Sequence, residues 1–198
     1  IRDDSLEVAE AQTLMHIVST VGISDEVIDQ AGIRDLWNRT QIAAINGMGV
    51  SEAHTDLLLR GGEVAVFEEV ADLMGAQRGR FVGQSYGLSF RVAKGVRLHT
   101  SWLEGGVVVP PELVVKDYGL LTLTTRRVVF TGQTKTIECR LDKMVGVNLL
   151  NDGISFNMTN RERVDLFKLK NAPKMAASIN WILDQGEDVE ARVHRFAS

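Results

Sequence analysis

The stretch GLLTLTTRRVVFTGQTKT, residues 119–136, decides the fold class of this chain. Its first half alternates leucine with threonine, and the alternation resumes after two adjacent arginines. A period of two is typical of a β-strand, and TGQT at 131–134 is typical of a turn. The stretch therefore predicts a strand, or two strands bent at Arg126 and Arg127, then a turn and a further strand over 135–141. Because neighbours on a strand face opposite ways, one arginine is expected to pair with a carboxylate such as Asp142 and the other to be exposed.

The residues on both sides of this stretch extend it into an antiparallel meander. Residues 85–102 are rich in β-forming residues, with Gly95 as the turn between two strands. Asn151-Asp152-Gly153 is a strong hairpin signal. Further strands are predicted over 144–150, 154–159 and 164–169. A helix with proline in its first turn then follows over 173–185.

The sequence pattern of the first 78 residues predicts an acidic helical region. Apolar residues recur at helical spacing from Leu14 to Val21, and Ser24 is placed to cap a second helix. A last helix is predicted at about 63–74, because a set of apolar residues there matches one helical face. We expect this face to dock the helical region on the sheet; its residues are Val66, Phe67, Val70, Leu73 and Met74.

Charge divides the chain in the same way. Residues 1–81 carry a net charge of −8, residues 82–185 carry +5, and residues 186–198 carry −1. The whole chain of 198 residues is 44% hydrophobic and 24% charged, which is typical of globular domains. We therefore predict three parts: an acidic helical region at 1–78, a β-rich domain with its helix at 79–185, and a tail at 186–198.

The order of these strands and the closing helix resembles the pleckstrin-homology (PH)-like superfamily, closest to its GRAM and bacterial PH-like members. The resemblance covers about residues 82–185, including the hairpin at 151–153 and the helix at 173–185. It implies an α+β fold in which two nearly orthogonal sheets form a β-barrel closed by that helix. The matching pattern consists of Gly119, Leu121, Leu123, Thr124, Arg127, Phe130 and Gly132.

The resemblance implies a non-catalytic interaction or adaptor module, part of a larger protein, with a protein as its partner. The alternative that it implies is binding of an anionic lipid, such as a phosphoinositide. In lipid-binding PH domains basic residues around the first hairpin hold the headgroup, and here these would be Arg91, Lys94 and Arg97. An unoccupied solvated hairpin is the competing interpretation.

Two catalytic readings compete with this one. GQSYG at 83–87 spells the G-x-S-x-G motif of serine hydrolases, with Ser85 as nucleophile. A strand rather than a helix is predicted after Ser85, so we expect no enzyme here. Cys139 with His99 would make a thiol nucleophile, but Cys139 shares the apolar phase of its strand and is expected to be buried.

Other classes of function find little support in the residues. The four histidines show no metal-ligand spacing, and one cysteine cannot build a disulfide. We predict no metal, no cofactor and no nucleic-acid partner, because the chain is net acidic. Since it shows no secretion signal, we expect a cytoplasmic protein, alternatively one peripheral to a membrane surface. The first residue is Ile1 rather than methionine, which is typical of a processed or excised chain.

Overall fold

The computed structural model describes residues 8–76, 86–93, 96–102, 113–150, 152–159 and 165–194. The described helices are α1 (Val8–Val21), α2 (Asp25–Gln30), α3 (Arg34–Met48), α4 (Ala172–Gln185) and α5 (Val189–Arg192). The described strands are β1 (Ala65–Ala76), β2 (Tyr86–Ala93), β3 (Val96–Trp102), β4 (Leu113–Thr124), β5 (Arg127–Gly132), β6 (Thr136–Arg140), β7 (Met144–Leu150), β8 (Gly153–Met158) and β9 (Asp165–Lys168).

The strands form one sheet in the order β2-β3-β7-β8-β9-β1-β4-β5-β6. The seven strands from β7 to β6 pair antiparallel throughout, and the β2–β3 hairpin joins them through a parallel pairing of β3 with β7. Within the described residues the ladder is open, with β2 and β6 as its edges. The prediction of a mixed α and β chain with a helix after the sheet is confirmed, whereas closure into a PH-like barrel stays a prediction.

The quoted stretch folds as its pattern predicts. β4 ends at Thr124, β5 begins at Arg127, and the two strands pair antiparallel. Both faces of this part of β4 are buried, because the threonines at 122 and 124 are as inaccessible as the leucines between them. The predicted hairpin at 151–153 and the strand after the turn at 131–134 are also present.

Two glycines and a carboxylate close the turn between β5 and β6. Gly119 and Gly132 are directly opposite each other, and a Cβ on Gly119 would lie 2.0 Å from the carbonyl oxygen of Thr131. The Asp117 carboxylate accepts the backbone N–H groups of residues 133, 134 and 135 at 3.1, 3.0 and 2.9 Å. Burial alone would raise the pKa of Asp117, but hydrogen bonds led by those from Thr134 outweigh it and lower the pKa.

The predicted helix at 63–74 is wrong, because this segment is the strand β1. It lies between β9 and β4 and pairs with β4 along its whole length. The pairing register shifts near both ends, between Ala65 and Phe67 and between Leu73 and Met74. Such irregularities interrupt the alternation of apolar and polar residues along a strand. The apolar residues of this segment are therefore spaced like those on one face of a helix. The sheet therefore begins inside the segment assigned to the acidic helical region.

The other helices lie close to their predicted positions. α1 and α2 occupy the first two predicted segments, with Ser24 at the N-cap position of α2. α4 matches the predicted C-terminal helix and buries Met175, Ile179 and Ile182. α3 packs against both α1 and α4, so the helical region contacts the helix that follows the sheet.

The core lies between the sheet and α4. The rings of Phe130 and Phe167 are 5.2 Å apart, and those of Phe156 and Phe167 are 5.8 Å apart. Cys139 is 1% exposed in β6, as its apolar phase predicted. Burial of such aromatic clusters supplies a large part of the driving force for folding.

Part of the predicted tail is also packed against the fold. Val189 and Val193 are buried. The His194 backbone N–H donates to the Val50 carbonyl at 3.0 Å, and the Glu52 backbone N–H donates to the His194 carbonyl at 2.8 Å. The chain segment after α3 is therefore held by the end of the described chain.

A buried ion pair joins the start of β5 to the entrance of β1. The Arg127 Nε donates to Glu63 Oε1 at 2.8 Å, and its second terminal nitrogen donates to the Leu58 carbonyl at 3.0 Å. Arg127 also donates to Glu138 of β6 at 2.8 Å. The predicted partner Asp142 is wrong, because Asp142 pairs with Arg140 at the surface.

The second adjacent arginine has a different environment. Arg126 is half exposed and its Nε donates to Glu190 of α5 at 2.7 Å. The prediction that one arginine is paired inside while the other faces solvent is thus confirmed, although each has a carboxylate partner.

The Glu63 carboxylate is held in its ionised form by this network. Burial raises its pKa, but hydrogen bonds from Arg127, from the Thr124 hydroxyl and from the Arg60 backbone N–H outweigh burial and lower the pKa to about 2. The Thr124 hydroxyl lies 2.6 Å and the Arg60 nitrogen 2.7 Å from the carboxylate. A carboxylate with this many donors strongly favours the charged state.

We expect Glu63→Gln to lower stability at neutral pH and to lower it less in acid. The pKa of Glu63 is about 2 in the folded protein against 4.5 for an unperturbed glutamate. Because the folded value is depressed, its contribution is complete above about pH 4.5 and is lost as the pH falls through about 2. Urea unfolding should show a difference on the order of 2 kcal/mol at pH 7 that shrinks toward pH 2.

The surface pair of Arg140 and Asp142 supplies the control. Asp142→Asn should change the free energy of unfolding by less than about 1 kcal/mol at any pH, because exposed ion pairs contribute little. An effect of Glu63→Gln that stays the same from pH 7 to pH 2 would contradict the assignment.

Candidate functional site

A deep cleft lies between the helical region and the sheet. It has a volume of about 1290 Å³ and is bounded by α3, by β1 and by the segment that leads from β9 into α4. We call it the α3–β1 cleft. The segment after α3, at residues 49–53, lies at one end of it.

The helical wall of the cleft is one face of α3. Gln41, Ala44, Ile45 and Met48 all line it, at the spacing of three and four residues that places side chains on one side of a helix. From the sheet side the cleft meets buried Phe67 and exposed Val70 of β1. The cleft therefore combines apolar residues from both walls with charged and polar residues.

The carboxylates of β1 that face the cleft have partners within the protein. Glu69 accepts the backbone N–H groups of Lys170 and Asn171 at 2.8 and 3.2 Å, which places its negative charge at the start of α4. A negative charge stabilises the N-terminus of a helix. Glu68 accepts hydrogen bonds from the hydroxyls of Thr55 and Thr122. Both carboxylates therefore stabilise the walls of the cleft.

Lysines of the cleft are also engaged by neighbouring groups. Lys168 lies 3.0 Å from the Asp152 carboxylate, and its pKa is raised, chiefly by this hydrogen bond. The Lys174 nitrogen lies 5.9 Å from the centroid of the Phe67 ring, within the range of a cation–π contact. These lysines and the two glutamates therefore interact with groups of the protein itself.

Among the described residues that line the cleft, only Gln41 has a buried side-chain oxygen without a hydrogen-bond partner. Its side chain is 8% exposed, and among the described residues no group donates a hydrogen bond to its Oε1. Asn38 and Asn180 also hold a buried oxygen without a donor, but neither lines the cleft. A buried polar atom without a partner costs about 1–3 kcal/mol. Gln41 therefore lines the cleft through other atoms of its side chain, while its Oε1 is buried within the wall.

Neither Gln41 as a lining residue nor the cleft itself follows from the sequence alone. The one available signal was a glutamine at an apolar spacing of α3, beside Ala44 and Ile45. That spacing predicts burial on a helical face, but it does not show what the face contacts. The strand β1 on the opposite wall had been predicted as a helix.

The predicted lipid-binding residues lie elsewhere. Arg91 of β2 and Arg97 of β3 are directly opposite each other in the backbone register of the hairpin. Lys94 and Gly95 lie outside the described residues. The structure therefore places two of the three predicted residues at paired positions, away from the residues that line the cleft.

The part of the chain that the structure describes gives no support to the two catalytic alternatives. Ser85 lies outside the described residues, and Tyr86 begins a strand rather than the helix that a nucleophile elbow requires. Cys139 and His99 lie on β6 and β3, which do not pair with each other in the described sheet. In the part of the chain that the structure describes, no group of three or more His, Cys, Asp or Glu residues is placed to hold a metal ion.

None of the described helices combines the length and the hydropathy that crossing a bilayer requires. No protein-family model, curated protein or solved structure matches the chain. The PH-like resemblance therefore remains a prediction that the motif residues carry, and function has to be inferred from the geometry of the cleft.

We expect Gln41→Met to raise the thermal stability of the protein. Methionine keeps the length of the side chain and removes the amide whose buried oxygen accepts no hydrogen bond. The free energy of unfolding should therefore rise by about 1 kcal/mol. This corresponds to a rise of about 2–4 °C in the midpoint of thermal unfolding.

Asn38→Leu is the matched control. It removes a similar unpaired oxygen from the same helix outside the cleft, and should also leave the protein as stable as the wild type or more so. Destabilisation by Gln41→Met would show that the Gln41 amide has a structural partner.

Proposed function

We propose that this protein is a non-catalytic interaction module that binds a segment of a partner protein in the α3–β1 cleft. The observation that carries the proposal is the cleft itself, in which Ala44, Ile45 and Met48 of α3 lie across from the exposed Val70 of β1. The cleft volume of about 1290 Å³ exceeds the range of about 300–1,000 Å³ that is typical of small-molecule sites.

The hydrogen bonds that Glu68 and Glu69 already make within the protein support binding rather than catalysis. A general acid or base has to reach a substrate while its own proton affinity is tuned to the reaction. Glu69 is occupied at the start of α4, and Glu68 is occupied by two threonine hydroxyls. These two carboxylates therefore serve the structure.

Selection from a phage-displayed library of random linear peptides tests this proposal. We expect selected peptides to lose binding by at least about tenfold, or 1.4 kcal/mol, in Val70→Asp. Val70 is 64% exposed at the cleft, so an aspartate there should not disturb folding.

Val145→Asp is the matched control for Val70→Asp. Val145 is an exposed strand valine of β7, 44% exposed and outside the cleft lining. Binding should survive in this variant. If the library yields no peptide whose binding depends on Val70, the cleft is not an interaction site and the proposal fails.

A second candidate function is binding of an anionic lipid surface by the β2–β3 hairpin. The observation that favours it is the register, which sets Arg91 of β2 opposite Arg97 of β3. The resemblance to PH-like barrels implies basic residues at this hairpin as the headgroup site. Arginine is well suited to phosphate, because its guanidinium donates two parallel hydrogen bonds.

Co-sedimentation with vesicles distinguishes this candidate. Binding to phosphatidylcholine vesicles that contain phosphatidylserine, but not to pure phosphatidylcholine, should be lost when Arg91→Gln and Arg97→Gln are combined. The control combines Arg140→Gln and Lys143→Gln, which remove the same charge from half-exposed residues elsewhere. Equal loss in both double variants would indicate nonspecific attraction, and no sedimentation of the wild type would end the lipid hypothesis.

A further inference from the structure

One edge of β1 is open over half of the strand. On one side, β1 pairs with β4 from Ala65 to Ala76. On the other side, β9 pairs with β1 only at Asp72, Leu73 and Met74, because the chain then leaves the sheet and enters α4. Among the described residues, no strand pairs with residues 66–71 on that side.

The α3–β1 cleft lies along this open edge. The cleft is lined by every residue of β1 from Val66 to Val70. Successive side chains of a strand point to opposite faces of the sheet. A cavity that touches five successive residues therefore meets the strand at its edge, where the unpaired backbone groups are, rather than on one face.

Both ends of the open edge are closed by chain segments of the protein. At one end, the Ala53 backbone N–H donates to the Ala65 carbonyl at 2.8 Å. At the other end, β9 begins to pair at Asp72. The six residues between them span roughly 20 Å in an extended conformation. This is the length of a short β-strand.

The residues around the open edge of β1 limit its pairing with strands of other chains. An open strand edge invites association with other chains, and proteins limit this with charged residues or by covering the edge. Here Glu68 and Glu69 lie within the open segment, and α3 forms the opposite wall of the cleft. A guest must therefore enter between α3 and the sheet, which selects for a single extended segment.

We propose that the cleft takes its partner as an added β-strand, in which an extended peptide pairs with the backbone of residues 66–71. This proposal rests on the proposed interaction function and specifies its geometry. The guest is an extended segment with apolar side chains, because Ile45, Met48 and Val70 line the cleft beside this edge. Glu68, Glu69 and Lys168 already have partners within the protein. Main-chain hydrogen bonds supply affinity in such complexes and side-chain pockets supply specificity.

An N-methyl scan of a peptide selected on the cleft tests this geometry. Each backbone N–H of the peptide is replaced in turn by N-methyl, and binding to the full chain is measured. In a guest strand only alternate N–H groups point at the host strand. We expect N-methylation to weaken binding at least about tenfold at every second position and to have little effect at the positions between.

Hydrogen exchange of the protein supplies the second measurement. On peptide binding, amides at alternate positions within residues 66–71 should exchange at least about tenfold more slowly. Amides of β4 should not change, because β4 pairs with β1 in both states. This measurement uses the unchanged protein and is therefore independent of the folding of any variant.

The outcomes separate the two proposals. A peptide that needs Val70 but shows no period of two in the N-methyl scan overturns strand addition and leaves the interaction function standing. Losses that repeat every three or four positions would indicate a guest helix and also overturn strand addition. The absence of any peptide that depends on the cleft overturns both proposals.

Discussion

The buried pair of Arg127 and Glu63 is the interaction on which the arrangement of the sheet depends. It joins the first residue of β5 to the residue that precedes β1 by two positions, more than sixty positions earlier in the chain. Glu63 accepts two further hydrogen bonds, and Arg127 also reaches Glu138 of β6. Leaving one member of such a pair without its partner costs several kcal/mol. The pair therefore favours one register of β1 over its alternatives.

The position of β1 creates the cleft. A strand from the N-terminal part of the chain lies between β9 and β4, so the helices that precede it are placed over its open edge. β9 is only four residues long and leads into α4, and it cannot cover that edge. The same short β9 brings residues 170 and 171 to Glu69, which stabilises the start of α4.

The charge asymmetry of the chain has a structural explanation at several positions. Glu63, Glu68 and Glu69 belong to the acidic part, and each is neutralised or hydrogen-bonded by groups of the basic part. Docking of the two parts therefore uses these carboxylates as internal acceptors. Arg60 makes the reverse connection to Glu138 at 3.0 Å, half exposed at the surface. Such exposed pairs contribute little, so the buried carboxylates matter more.

Local pattern was sufficient for elements whose neighbours in space are also neighbours in sequence. The alternation around Leu121, the hairpin at 151–153 and the stripe of α4 all predicted their elements, because turn chemistry and periodicity act over a few residues. The burial of Cys139 followed from the same alternation. For the candidate site, sequence indicated the β2–β3 hairpin and its arginines, but it did not indicate the cleft.

The sequence by itself determined the β-rich middle of the chain, the closing helix, and the helices α1 and α2. Only the tertiary structure decided that residues 65–76 form a strand, because their spacing satisfies a helix and pairing with β4 and β9 outweighs it. Only the tertiary structure could select Glu63 rather than Asp142 as the partner of Arg127, since the two candidates differ in distance through space and not in local pattern. The same holds for Gln41, whose unpaired oxygen becomes visible only when α3 is placed against β1. Long-range pairing is physically separate from local propensity, and the cleft arises from that pairing alone.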